Sequence, residues 1–188
     1  MRIRSLAIVF LVLGVAGAAS AQRYYSNEPP GIRRYGLVAG FGVGGGALGL
    51  SDCDGCGSWG VLSLQGEIGG MVAPNVAILF DYTGNFHSFG SGDSMTNSII
   101  DGAIRVFFGR IFWIEGGLGI GELSFDYFDG TRSTSGWGFA GMGAFGIEVL
   151  QTPRFALDLS ARIAGERIST DPDQSIGSFN LMVGFHWY

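Results

Sequence analysis

Eight charged residues interrupt apolar stretches of this chain: Glu67, Asp81, Asp101, Arg105, Glu115, Glu148, Asp158 and Arg162. Each falls at even spacing from small or polar residues and at odd spacing from aliphatic or aromatic ones. Glu67 follows Ser63 and Gln65 while Leu62, Leu64 and Ile68 take the other phase; Asp158 precedes Ser160 and Arg162 while Leu157, Leu159 and Ile163 alternate with them. Residues two apart in a strand share a face, so this spacing gathers the charges on one side of a sheet and the apolar residues on the other. Charges collected in a confined interior must be paired or neutralised. Arg105 and Arg162 are therefore expected to bridge several of the six carboxylates, with the surplus acids protonated or hydrated. Two kinds of chemistry follow: a structural plug that holds the strands in register, or a gate on a narrow ion path.

Two further constellations carry less. Cys53 and Cys56, in Asp52-Cys53-Asp54-Gly55-Cys56-Gly57, are expected to form a local disulfide in an oxidising compartment. Two thiols without a nearby His make a poor metal set, and a calcium loop fails because its fifth ligand position is Cys56 and its twelfth is Ser63. Gly40–Gly45 and Gly141–Gly146 both spell G-x-G-x-x-G, but both lie inside alternating segments and neither opens a helix, so no dinucleotide is expected. No cofactor and no metal is anticipated.

The elements that must position these residues are strands. From Tyr35 onward, eight alternating segments follow one another: Tyr35–Leu50, Ser58–Val72, Val76–Phe86, Asn97–Phe108, Ile111–Phe125, Gly136–Leu150, Phe155–Arg167 and Ile176–Tyr188. The apolar phase is almost free of charge throughout. The opposite phase is Gly, Ala and Ser with a few acids and arginines, which suits the cramped interior of a narrow barrel better than the wet face of a sandwich. The connections alternate between tight (Ala73-Pro74-Asn75, Gly109-Arg110, Gln151–Arg154) and longer polar stretches (Ser51–Gly57, Gly84–Thr96, Asp126–Ser135, Ile168–Ser175). Tyr82, Trp59, Tyr127 and Trp137 fall near one set of segment ends and Tyr35, Phe112, Phe155 and Trp187 near the other, as two aromatic girdles would.

Bulk composition agrees. Hydrophobic residues make up 47% of the 188 residues and charged ones only 14%, against about 25% in an ordinary soluble domain. Every basic residue is Arg, and the net charge of −5 excludes nucleic acid as a partner. At the N-terminus Arg2 and Arg4 precede the apolar run Leu6–Val15 and the small-residue site Ala19-Ser20-Ala21, which reads as a cleaved secretory signal peptide over residues 1–21. Residues 22–34, with Pro29-Pro30-Gly31, read as a flexible periplasmic lead-in, and 35–188 as one domain. The fold expected is all-β: a single eight-stranded antiparallel up-and-down transmembrane β-barrel.

Over 35–188 this pattern resembles the OmpA-type and OmpX-type small outer-membrane barrels. The resemblance implies export to the bacterial outer membrane, contact with outer-membrane lipids, and delivery by periplasmic chaperones to the barrel-assembly machinery. The last strand, Phe179–Tyr188, resembles that machinery's recognition signal through Phe185, Trp187 and the terminal aromatic Tyr188, although its apolar face is one residue out of the usual phase. The resemblance also admits lipid-modifying enzymes, which need Ser and His near the outer leaflet. His87 and Ser88 are adjacent and so point to opposite faces, and His186 lies at the other end. The reading is therefore a non-enzymatic, monomeric barrel with a filled, charge-networked lumen serving envelope integrity or surface interactions, with a narrow pore or carrier for small ions or apolar solutes as the alternative.

Overall fold

The computed structural model describes residues 34–51, 57–90, 92–168 and 174–188. Eight strands follow in order: β1 (Leu37–Ser51), β2 (Ser58–Ala73), β3 (Val76–Ser88), β4 (Ser94–Phe108), β5 (Phe112–Asp126), β6 (Arg132–Gln151), β7 (Phe155–Ile168) and β8 (Gln174–Trp187). Each pairs antiparallel with the next, and β1 closes on β8 along a register running from Ala39↔Trp187 to Ser51↔Ser175, so the sheet is a closed barrel. Closure matters because lipid offers no hydrogen-bond partner to an open edge. A spanning strand needs about 9–11 residues. The strands here run from 13 residues in β3 to 20 in β6, so their ends project beyond the hydrocarbon.

The barrel is inverted relative to a soluble protein. Leu118 (66% exposed), Phe139 (64%), Leu37 (63%) and Ile163 (61%) stand outside in an apolar belt, while Arg105, Asp81 and Asp158 are fully buried inside. Exposed apolar surface on this scale requires a lipid environment. Among the described residues no helix is long and apolar enough to cross a membrane; the strands do the crossing.

The sequence-expected faces match those of the strands, but two local readings change. First, most of Gly84–Thr96 and half of Asp126–Ser135 are strand rather than loop, since β3 runs on to Ser88, β4 starts at Ser94 and β6 starts at Arg132. Tight five-residue closures replace the expected loops. Phe89 N donates to Asp93 O (2.8 Å) and Tyr127 N to Thr131 O (2.9 Å), with Gly92 (φ 92°) and Gly130 (φ 82°) in the left-handed region that glycine alone enters cheaply. Polar composition concealed these extensions, because strand ends outside lipid have no reason to be apolar. Second, Trp59 shares the inward phase of Val61 and Ser63 and packs against the outer apolar cluster, so it is no girdle residue. At the inner end a lipid-facing aromatic group does form: Phe41 stacks on Phe185 (4.8 Å) and Phe155 packs against Trp187 (5.4 Å).

Candidate functional site: a stratified lumen

The inward faces of the strands fill the barrel in layers. By the outer-membrane convention, the tight turns, the start of β1 and the end of β8 mark the inner, periplasmic end. There, Glu148 on β6 receives three donors: Tyr188 Oη (2.6 Å), Gln151 Nε2 (2.6 Å) and Arg34 Nη2 (2.5 Å). Arg34 also donates to Arg110 O (2.6 Å) and lies over the Phe107 ring at 4.1 Å. This residue precedes β1 and crosses the mouth to the β4–β5 turn and β6. Above it sits an apolar collar that includes Val38, Met71, Leu79, Phe107 and Trp113.

The next layer holds the charges. Arg105 on β4 is fully buried and reaches two carboxylates: Nε donates to Glu115 Oε2 (2.6 Å), while Nη1 and Nη2 donate to Glu67 Oε1 (3.0 Å) and Oε2 (2.5 Å). The paired bonds to Glu67 have the fork geometry that makes arginine the stronger carboxylate partner. The guanidinium also lies 4.2 Å over the Trp113 ring. Arg162 on β7 donates through Nη2 to Asp81 Oδ2 and to Glu115 Oε1, both at 2.8 Å, and through Nη1 to Thr83 Oγ1 (3.2 Å). Glu115 is thus shared by both arginines. Asp158 accepts from Trp113 Nε1 (3.1 Å). His186 stands between two acids, with Nδ1 at 2.7 Å from Glu67 Oε1 and Nε2 at 2.6 Å from Asp158 Oδ2, the latter off the line of a hydrogen bond.

Asp101 differs from the rest. It lies in register with Asp81, which is itself in register with Glu67, so three acids face inward side by side on adjacent strands. Like charges directly opposed are unfavourable. Both Asp101 oxygens are buried without a hydrogen-bond partner. Glu67, Asp81 and Glu115 have oxygens within 4.8 Å of one another, a spacing that would suit a metal, but the arginines already occupy those oxygens.

Above the charges is an amide layer. Ser63 Oγ lies 2.8 Å from Asn85 Oδ1 and 2.7 Å from Asn180 Oδ1, Asn85 Nδ2 donates to Asn97 Oδ1 (3.2 Å), and Asn97 Nδ2 donates to Glu166 Oε2 (2.7 Å). The outer end closes with Leu48, Val61, Met95, Leu123, Ile168 and Ile176, capped by Trp59, Phe89 and Phe125.

Of the residues singled out in the sequence, Glu67, Asp81, Arg105, Glu115, Asp158 and Arg162 meet in the middle layer. Asp101 sits beside Asp81, and Glu148 stands apart at the inner mouth. Cys53 and Cys56 lie outside the described residues, as does the leader over 1–21. Of the assembly-signal residues, Trp187 faces outward and Tyr188 turns inward to Glu148. Sequence reasoning put Asn180 and His186 on the inward face without naming them in the network, and it missed Trp113, Glu166, Asn85 and Asn97 as lumen partners. These four share the inward phase of the acids, so alternation could have found them too. Arg34 gave no signal, because it lies outside any periodic segment.

No protein-family description matches the chain, and no curated protein does. Solved structures do. The crystal structure of Neisserial surface protein A aligns with a TM-score of 0.61 at 16% identity, covering 80% of this chain and 95% of that one. Ail, the attachment invasion locus protein of Yersinia pestis, in complex with the heparin analogue sucrose octasulfate, aligns at 0.52 and 11% identity, covering 80% and 98%. A second crystal structure of Ail aligns at 0.51 and 14%, covering 79% and 97%. Identities this low speak for the fold alone. Closed connectivity, an apolar exterior and a packed polar interior give this chain the eight-stranded antiparallel barrel fold of these outer-membrane proteins.

Proposed function

We propose that this protein is a closed, non-enzymatic envelope barrel whose lumen is a structural plug and whose outer end meets partners at the cell surface. The observation that carries the reading is the stacking of two apolar layers around the charge network. An ion crossing the lumen would have to leave the Arg105–Glu67–Glu115 layer and pass Leu48, Met95 and Leu123, which offer no polar atom. Dehydrating an ion without compensation costs far more than thermal energy. The proposal includes the signal peptide over 1–21, assembly through the Phe185–Trp187–Tyr188 terminus, a Cys53–Cys56 disulfide and a monomeric state in the membrane. Near the outer end, His87 Nδ1 donates to Gly60 O (2.7 Å), and Ser88, its neighbour in β3, points to the opposite face, so the two do not make a nucleophile–base pair.

The surface role takes its direction from charge. The four outer connections, 52–57, 89–93, 127–131 and 169–173, hold Asp52, Asp54, Asp93, Asp129, Asp171 and Asp173 and no Arg or Lys. The inner turns hold Arg110 and Arg154 and no acid. A sulfated ligand such as the one bound to Ail would be repelled here, so the partners of this barrel are cationic or neutral.

Planar-bilayer recording tests the closed lumen. Purified protein should give no steady unitary conductance, and Arg105→Ala should stay silent because the outer apolar layer is intact. A conducting wild type would overturn the reading. Current in Arg105→Ala alone would favour the second reading, a gated pore, for which the unpartnered Asp101 carboxylate is the supporting observation.

A further inference from the structure

The outer end holds a feature that the lumen does not use. Between the β3–β4 and β5–β6 hairpins lies a cleft of about 310 Å³ lined by Phe89, Phe125, Tyr127, Ser94, Asp93 and Asp126. Three aromatic rings and two carboxylates share one concavity. Its floor is packed from below, with Phe89 and Phe125 resting on the apolar layer that seals the barrel. Its walls are pinned, because Phe128 N of one hairpin donates to Asp93 Oδ1 of the other (2.9 Å). Asp126 and Tyr127 are open to solvent, with the Asp126 side chain 47% and Tyr127 47% exposed.

We propose that this cleft binds a small soluble organic cation of the quaternary-ammonium type. Ring faces carry negative potential and attract cations, and a methylated ammonium adds an apolar shell that fills aromatic space. Asp93 and Asp126 supply the countercharge, and Asp129 in the β5–β6 turn adds to the negative potential nearby. Other ligand classes fit less well. An anion would face both carboxylates. A hard metal ion needs six or more oxygens and would meet mostly ring carbon. A neutral apolar molecule would strip water from Asp126 without replacing its interactions. The protein already brings a cation to this rim: the Arg132 guanidinium lies 3.7 Å from Asp126 Oδ1, with its side chain 60% exposed. Arg132 is therefore an internal competitor, and that gives the proposal a direction a merely structural Arg132 would not share.

The biological meaning rests on the proposed surface role; the binding itself does not depend on a closed lumen. A barrel that conducts ions yet binds the cation would sink the plug and leave this site standing.

The test is a chemical-shift titration of the intact barrel in maltoside micelles, since phosphocholine and amine-oxide detergents would themselves compete. The probes are choline and its neutral isostere 3,3-dimethylbutan-1-ol. Choline should move the amide signals of Phe89, Asp126 and Tyr127 saturably, with a Kd on the order of 1–10 mM. The isostere should bind at least about tenfold more weakly. Asp126→Asn and Tyr127→Ala should each weaken choline about fivefold, and Arg132→Gln should tighten it by about two- to fivefold. Unheated SDS mobility establishes that each variant is folded. The proposal fails if choline gives no saturable shift up to about 100 mM, if the isostere binds as well, or if Arg132→Gln weakens binding.

Discussion

Arg34 and Glu148, 114 residues apart, meet at 2.5 Å across the inner mouth of the barrel. The contact ties the segment before β1 to β6 on the far wall, with Tyr188 from the chain's last position on the same carboxylate (2.6 Å). Arg34→Gln removes the only cationic partner that Glu148 has among the described residues. Because Tyr188 and Gln151 still donate, the loss should fall at the low end for a broken buried pair, about 1–3 kcal/mol. Urea unfolding in lipid vesicles, followed by tryptophan fluorescence, measures it. Arg34→Gln combined with Glu148→Gln should recover part of the loss, and simple additivity of the two would refute the pairing.

Arg105 carries the middle layer, with Glu67 and Glu115 on its guanidinium and Trp113 beneath it. Arg105→Ala leaves two carboxylates buried without their main counterion and should cost about 3–5 kcal/mol. Adding Glu67→Gln should return a measurable fraction, and a double-mutant cycle should give a coupling above about 1 kcal/mol. A coupling near zero would mean that the layer contributes packing and no pairing.

Glycine is required at some inward positions and optional at many outward ones. A Cβ at Gly146 would sit within the Trp113 indole, whereas one at Gly60 meets nothing within 4 Å. Gly146→Ala should destabilise by about 1–3 kcal/mol through overpacking, and Trp113→Phe should relieve it. Gly60→Ala should change stability by no more than about 0.5 kcal/mol. The folded fraction on unheated gels, across a denaturant series, distinguishes the two.

The lipid belt makes its own demand. Leu118 is 66% exposed near the middle of β5. Leu118→Arg should cost about 2–4 kcal/mol if this residue faces the bilayer core, whereas Leu118→Phe should be close to neutral. An arginine tolerated at Leu118 would place that face in water.

Export and the outer loop chemistry are checked by mass. Protein purified from the outer membrane should begin at Gln22 and weigh two hydrogens less than the fully reduced chain, through the Cys53–Cys56 disulfide. Ready alkylation of both cysteines without a reductant would exclude that bond.

Strand number, strand faces and the membrane setting could be read from the sequence. An alternation of period two that keeps charge out of one phase for eight segments is imposed by lipid on one side and a narrow interior on the other. That constraint is local: each residue's phase is set by its immediate neighbours along the chain. For the same reason Glu67, Asp81, Arg105, Glu115, Asp158 and Arg162 could be assigned to the interior before any partner was known. What only the tertiary structure decided is who meets whom. Register and the stagger of closure bring Arg162 to Asp81 and Glu115, put His186 between Glu67 and Asp158, and leave Asp101 without a donor. These contacts join strands that lie far apart in sequence. The Arg34 crossing and the aromatic cleft were likewise hidden, because a residue outside any periodic segment acquires a place only when the barrel that receives it has closed.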